Sequence, residues 1–265
     1  MAKADRDRSN HREVELLDAL RRIGGSARNA NLAEVLGVSE ETIRRTAKSL
    51  AKADLVRRVH GGIYLANAEA EHSVFARLGH RSAEKHKIAE AAASLIPNGA
   101  CIFLDVGSTT AFVAEALREH KKLTVVTNSM NVAQTLLNRN GSRVYMSGGE
   151  LRHTEGGAFG PEALDYIKRF YFDFAILSVD GIDAHGGFFL RGSEEAAVAS
   201  VVIERTRHKI VVADHLKFGQ TGPRVVCDPD KFDTFVTDRP LAPLFAQKFN
   251  EWGIDVVHVE KGPLM

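Results

Sequence analysis

The apolar positions along this chain follow two regimes. Over residues 12–53 they recur at helical spacing: Val14, Leu16, Leu17, Leu20 and Ile23, then Leu32, Val35 and Leu36. Gly24-Gly25 ends the first of these helices, and Gly37 suits the tight turn after the second. Ser39, with Glu40 and Glu41 behind it, is an N-cap with an acidic first turn, which predicts a third helix from Glu40 to about Ala53. β-type runs on both sides of His60-Gly61-Gly62, from Leu55 to Leu65, predict a hairpin. Residues 66–83 are polar with little core and read as a linker. From Glu84 onward the regime changes. Short apolar strands are predicted at 100–105, 123–127, 143–147, 173–179, 209–213, 234–237 and 255–259. Helices are predicted at 88–96, from Ser108 to about Glu119, and at 129–138, 161–168, 195–207 and 241–251. Strands alternating with helices predict an α/β domain with a largely parallel sheet. The expected organisation is a small helical unit with a hairpin over 1–65, the head, then a linker over 66–83 and an α/β domain over 84–265.

Composition narrows the class. The 265 residues are 44% hydrophobic and 26% charged, values of a folded protein rather than a disordered one. No apolar run approaches the ~20 residues of a membrane span, so no membrane partner is expected. Met1-Ala-Lys-Ala-Asp-Arg-Asp-Arg8 has no apolar core behind its charges, unlike a secretory signal. Cys101 and Cys227 are the only cysteines and match no metal spacing, which points to a reduced, cytoplasmic setting. The net charge of +1 hides an asymmetry: residues 1–62 hold 13 Lys+Arg and 9 Asp+Glu, a net of +4, and the rest carries −3. A basic head on a slightly acidic body fits a polyanionic partner for the head, and equally a solvated helical face.

The head has the spacing of a helix-turn-helix. Val38 can plug the core at the turn. The second helix then presents Thr42, Arg44, Arg45, Lys48 and Ser49, not all on one face, behind the capping Ser39. A major groove admits one helix, where Arg reads guanine edges and Lys, Ser and Thr hold phosphates. Arg57, Arg58 and His60 decorate the hairpin and suit backbone or minor-groove contacts. A helical hairpin used for protein contacts is the alternative. The stretch Leu36-Gly-Val-Ser-Glu-Glu-Thr-Ile-Arg-Arg45, with Leu55-Val-Arg-Arg-Val-His-Gly-Gly62, resembles the N-terminal winged helix-turn-helix of the DeoR family of bacterial transcription regulators. That resemblance implies double-stranded operator DNA as partner. One departure is Thr46-Ala47, where the family usually has Asp-Leu; it bears on base reading.

In the body, Asp105-Val-Gly-Ser-Thr-Thr110 lies between a strand and a helix. Gly107 lets the backbone turn, and Ser108, Thr109 and Thr110 gather hydroxyls at free N–H groups, a natural anion cradle and also a plain N-cap. Asp105 suits sugar hydroxyls better than phosphate. The turn is neither a Walker A loop nor a dinucleotide fingerprint, and no cofactor is implied. Polar clusters follow other predicted strands: Thr127-Asn128-Ser129, Ser147-Gly148-Gly149, Asp180-Gly181 and Asp214-His-Leu-Lys217. Ligands of open α/β sheets gather at the carboxyl ends of strands. Lys217 supplies positive charge there, with Arg152 and Arg191 as weaker candidates. His80, His86, His153, His185 and His215 are scattered, without the paired ligands of a zinc site.

Glu84-Lys-His-Lys-Ile-Ala-Glu-Ala-Ala, Asp105-x-Gly-Ser-Thr-Thr, Thr127-Asn-Ser, Gly148-Gly149, Asp180-Gly-Ile-Asp183 and Ala213-Asp-x-x-Lys-Phe-Gly219 resemble the sensor domain of the same family, so the likeness runs over about residues 10–240. It implies a fold related to ribose-5-phosphate isomerase and a phosphorylated sugar or polyol as effector. By position it implies an effector site of Asp105, Gly107, Ser108, Thr109, Thr110, Thr127, Asn128, Gly148, Gly149, Asp180 and Lys217, with Glu195 at a recurrent acidic position. Ser129, Arg152 and Gly181 join them as neighbours. Leu216 stands where Ser is usual and Ala199 where Lys is common, departures that bear on which effector fits. The expected function is a regulator, a repressor of a carbohydrate or polyol catabolic operon released by its effector and working as a dimer or tetramer. The alternative is a sugar-phosphate isomerase-like enzyme with an appended head, in which Asp105 or Asp180 shuttles a proton.

Overall fold

The computed structural model describes residues 12–20, 26–59, 62–65, 74, 78 and 82–259. The chain divides into two compact units, Met1–Ser82 and Ala83–Met265.

In the first unit, helix α1 covers residues 12–20. Strand β1 (Ser26–Arg28) leads straight into α2 (Asn29–Leu36), and α3 spans Glu40–Lys52. Gly37 sits at φ 62°, the left-handed conformation that lets its N–H and that of Val38 close onto Glu34 and Ala33. Ser39 caps α3 by accepting from the Thr42 N–H at 3.2 Å. Leu16, Leu20, Leu32, Ile43, Ala47, Leu50, Val56 and Ile63 form the core, with Val38 packed against it as expected. Two expected core residues face outward instead: Val14 is 53% exposed and Val35 60%. Helix α2 starts at Asn29 rather than Asn31; it turns Asn29, Leu32 and Ala33 inward and leaves Val35 exposed.

Strands β2 (Val56–Val59) and β3 (Gly62–Leu65) form the hairpin, with Val59 opposite Gly62. A third strand, unforeseen in the sequence, completes the wing: β1 pairs antiparallel with β3, Arg28 opposite Gly62. Three residues are too few to show an alternation. His60 and most of the expected linker lie outside the described residues.

The second unit opens with α4 (Ser82–Ser94), which begins six residues before the expected start at 88. All seven expected strands form one wholly parallel sheet: β4 (Cys101–Leu104), β5 (Thr124–Thr127), β6 (Arg143–Met146), β9 (Phe172–Ser178), β12 (Thr206–Val212), β14 (Thr234–Thr237) and β15 (Asp255–His258). Their order is β15-β14-β12-β9-β4-β5-β6. The chain therefore starts at β4, winds outward through β5 and β6, and returns on the other side of β4 to β9. Helices α5 (Ser108–Ala116), α6 (Met130–Leu136), α7 (Pro161–Ile167), α8 (Ser193–Glu204) and α9 (Pro243–Glu251) connect the strands. Phe103, Phe159, Phe172, Phe188, Phe232, Phe235 and Phe249 are fully buried and dominate the core.

The boundary between α8 and β12 also differs from expectation. The helix expected over 195–207 ends at Glu204, and β12 already begins at Thr206, paired with Phe172. Arg207, His208 and Lys209 mask the strand because its first half is not fully buried. Two small additions ride on the sheet. Strands β7 (Glu150–Arg152) and β8 (Gly157–Phe159) make a hairpin, and β10 (Gly181–Asp183), β11 (Gly187–Leu190) and β13 (Arg224–Val225) make a three-stranded antiparallel sheet.

Candidate functional site

In the first unit, α3 carries the basic face. Ile43, Ala47 and Leu50 point inward, which leaves Glu41, Arg44, Arg45, Lys48, Ser49 and Lys52 exposed at spacings of three and four. Arg44, Arg45, Lys48 and Ser49 thus form one stripe, and Thr42, which is half-buried, lies off it, so the expected helix residues do not all share one face. Thr42 and Ser39 are occupied with each other, their hydroxyls 2.9 Å apart. Arg44 is held by Glu40 at 3.2 Å and Glu41 at 3.5 Å. Arg57 pairs with Asp54 at 3.5 Å, and Arg58 is exposed on the hairpin beside it. His60 lies outside the described residues.

In the second unit, the sheet order puts a switch of direction between β4 and β9, and open α/β sheets bind ligands in the crevice at the carboxyl ends of such a switch point. Asp105 and Ser178 meet there. Asp105 Oδ2 accepts from the Ser178 N–H at 2.6 Å and its hydroxyl at 3.0 Å; Oδ1 accepts from the Gly107 N–H at 2.9 Å and the Thr110 hydroxyl at 2.6 Å. Burial pushes the Asp105 carboxyl above the usual carboxylate range, opposed by the bonds from Thr110, Ser178 and Gly107. Both oxygens are thereby engaged with the protein, and Asp105 ties its turn to Ser178. The turn is tight: a Cβ on Gly107 would lie 1.9 Å from Ser178 Oγ. Ser108, Thr109 and Thr110 follow at the buried start of α5, where the first-turn N–H groups lack helical acceptors.

The parallel register aligns the next residues of neighbouring strands. Leu104 pairs with Thr127 and Thr127 with Met146, so Asp105, Asn128 and Ser147 stand in one row along the carboxyl edge. Thr127 and Ser129 are structural: the Thr127 hydroxyl donates to Leu104 O at 2.6 Å and accepts from the Ser129 N–H at 2.9 Å, and Ser129 Oγ caps α6. Asn128 and Ser147 differ. Each is almost wholly buried, 1% and 3% exposed, and Asn128 Oδ1 and Ser147 Oγ have no partner among the described residues. Such atoms are costly unless something meets them. Gly149, at φ 108°, packs its Cα on Phe159 O, where a Cβ would lie at 2.1 Å, whereas a Cβ on Gly148 would meet nothing within 4 Å.

On the other side of the crevice, Asp180 is buried and accepts from the Arg191 N–H at 3.0 Å. Gly181 packs against Gln220 O, 2.3 Å from a would-be Cβ. Lys217 ends a 3₁₀ turn over His215–Lys217 capped by Asp214 and is half-buried. This turn is pinned from two sides: Asp238 accepts from the His215 N–H at 2.7 Å and lies 2.6 Å from its Nδ1, and the Gly219 N–H donates to Ile182 O at 2.8 Å. Glu195 lies in the first turn of α8, folded back against Gly192. Its neighbour Glu194 pairs with Arg152 at 3.0 Å. Sequence reasoning missed Ser178, Glu194 and Asp238. Ser178 and Asp238 are the first polar residues around strand ends, a signal that was available; Glu194 needed the fold.

Comparison with known proteins bears on both units. The family model described as "DeoR-like helix-turn-helix domain" matches residues 12–69, and "DeoR C terminal sensor domain" matches residues 80–239. This chain belongs to the DeoR family. It is similar to the glycerol-3-phosphate regulon repressor of Escherichia coli (strain K12), 38% identical over 216 residues that cover 82% of this chain and 86% of that one. It is also similar to the HTH-type transcriptional repressor CsqR of the same organism, 35% identical over 187 residues, 71% of this chain and 72% of the other. Among solved structures, a D-ribose-5-phosphate isomerase in complex with phospho-erythronic acid matches 52% of this chain and 54% of its own, at 18% identity and a TM-score of 0.38. Like its DeoR relatives, the chain is a DNA-binding transcriptional regulator and not an enzyme.

Proposed function

We propose that this DeoR-family protein is a repressor of a carbohydrate or polyol catabolic operon, released from its operator when a phosphorylated polyol or sugar binds the crevice between β4 and β9. The observation that carries the reading is the row of unmet polar atoms at Asn128 and Ser147 beside the α5 N-terminus: hydroxyl-sized demand next to an anion-sized cradle. The first-turn N–H groups of α5 with Ser108 and Thr109 take the phosphate, and Lys217 supplies its counter-charge. Asn128 and Ser147 take hydroxyls, over Gly148. Asp105, Gly107, Thr110, Thr127, Ser129, Gly149, Asp180 and Gly181 hold the shape. The name of the Escherichia coli relative makes glycerol 3-phosphate the first compound to test.

In the head, Arg45 and Lys48 read and grip the major groove, and Arg44 joins once it exchanges Glu40 and Glu41 for DNA. Arg57 and Arg58 of β2 lie along the DNA backbone, and His60, outside the described residues, joins them as a contact. Two or more copies place their recognition helices on repeated half-sites in the cytoplasm. Release requires that the effector bind more tightly to the arrangement that does not fit both half-sites. A thermal-shift screen of the full chain against phosphorylated sugars and polyols tests the effector class, since a ligand raises apparent stability by mass action. A rise with phosphate esters and none with the parent alcohols supports the reading; no rise with any ester contradicts it.

A further inference from the structure

Among the candidate cations, Arg152 has a buried guanidinium nitrogen, Nε, with no partner among the described residues. Its hairpin lies over the row just described. Arg152 stands opposite Gly157, and Gly157 packs so closely that a Cβ would come within 2.3 Å of Val106 and 2.5 Å of Asn128 O. The neighbouring Ala158 N–H donates to Asn128 O at 2.8 Å, and the Asn128 side-chain amide donates to Ala158 O at 3.3 Å. Arg152 is thus one strand away from the cradle. From there it reaches 42 residues along the chain to Glu194, in the first turn of α8.

The pairing is lopsided. Both oxygens of Glu194 fall on the same guanidinium nitrogen, Nη2, at 3.0 and 3.2 Å. Glu150 leans on that same nitrogen from 3.3 Å. Meanwhile Nε is buried with no partner among the described residues. A guanidinium binds an oxyanion best through two parallel N–H bonds, one of them from Nε. Here two carboxylates crowd one nitrogen, repel one another, and leave the second prong of the fork unused. A phosphate dianion has three oxygens at the spacing that fork accepts.

We infer that Arg152–Glu194 is an exchangeable latch: an anionic phosphate takes Arg152 from Glu194 and so uncouples the 150–159 hairpin from α8. This rests on the effector reading above and adds its regulatory step. Glu194 competes with the ligand for the same cation. Removing this carboxylate therefore tightens binding, the opposite of what a hydroxyl-binding or merely structural Glu194 would do.

The test measures dissociation constants of the full chain, as wild type, Glu194→Gln and Arg152→Gln, for glycerol 3-phosphate, together with the melting-temperature shift each gives with inorganic phosphate. Expected is a several-fold tighter constant for Glu194→Gln, a loss of about tenfold or more for Arg152→Gln, and a phosphate shift ordered Glu194→Gln above wild type above Arg152→Gln. Equal or weaker binding by Glu194→Gln overturns the latch, while leaving the effector reading intact if wild type binds. If the ester fails on every protein but inorganic phosphate keeps that order, the latch stands and the effector assignment falls. If inorganic phosphate shifts all three alike or not at all, the latch is wrong.

Discussion

Asp105 is bonded to its own turn and to the end of β9. Four donors converge on its two oxygens, from Gly107, Thr110 and Ser178. Replacing it by Asn swaps one acceptor for a donor that faces other donors, a loss on the order of 1–3 kcal/mol. The pH dependence has a definite sign. Burial raises the native carboxyl pKa, so the native state binds more protons than the unfolded chain, and the contribution of Asp105 to stability declines as pH rises through that pKa. The stability advantage of wild type over Asp105→Asn is therefore expected to be larger at about pH 5 than at about pH 8, read from paired denaturation curves. The glycines separate by the same logic. Gly107→Ala drives a Cβ into Ser178 and is expected to lower the melting temperature and abolish effector binding together. At Gly148 a Cβ meets open space, so Gly148→Ala is expected to fold normally and weaken only the effector, measured by melting and ligand titration side by side.

Individual elements test the reading of the head. Ser39 begins α3, and Ser39→Ala removes the cap on the Thr42 N–H, at a cost of about 1 kcal/mol to that unit in chemical denaturation. On the exposed stripe, Arg44 has two carboxylate partners in its own helix and Arg45 has no ion pair among the described residues. Arg45→Ala is expected to cost more operator affinity than Arg44→Ala, and a phosphate-binding Lys48 to lower the salt slope by about one when removed, both readable by fluorescence anisotropy at several salt concentrations. The elements also show what was legible in the chain. The inner parallel strands announced themselves because strands buried on both faces are near-continuous apolar runs, such as Cys101–Leu104. The small strands β1, β7, β8 and β13 did not, since two or three residues carry no period. The motif residues of the crevice were visible as strand-end polar clusters, but their roles were not. Only the register separates Asn128 and Ser147, left unmet, from Thr127 and Ser129, already satisfied.

At the scale of the molecule, one unit carries the basic stripe and the other the crevice, each with its own core. The aromatic cluster of the second unit centres on Phe188, whose ring lies 4.9 Å from Phe232 and 5.9 Å from both Phe249 and Trp252. Phe188→Ala is expected to cost about 3–5 kcal/mol of stability, by the lost burial and the cavity left behind. Such a loss would reach the crevice, because β11 also carries Phe189, whose carbonyl holds the Asp180 N–H at 2.9 Å. The central claim joins the units: a duplex held by α3 is let go when a phosphate ester enters the second unit. Its most direct measurement is the binding of the full chain to duplex fragments from upstream of neighbouring genes, with and without glycerol 3-phosphate and other phosphate esters. The account predicts affinity for a particular fragment that falls steeply with salt and drops again when one ester, and not its parent alcohol, is added. Tight fragment binding untouched by every ester, or no fragment binding while an ester is turned over, would contradict it.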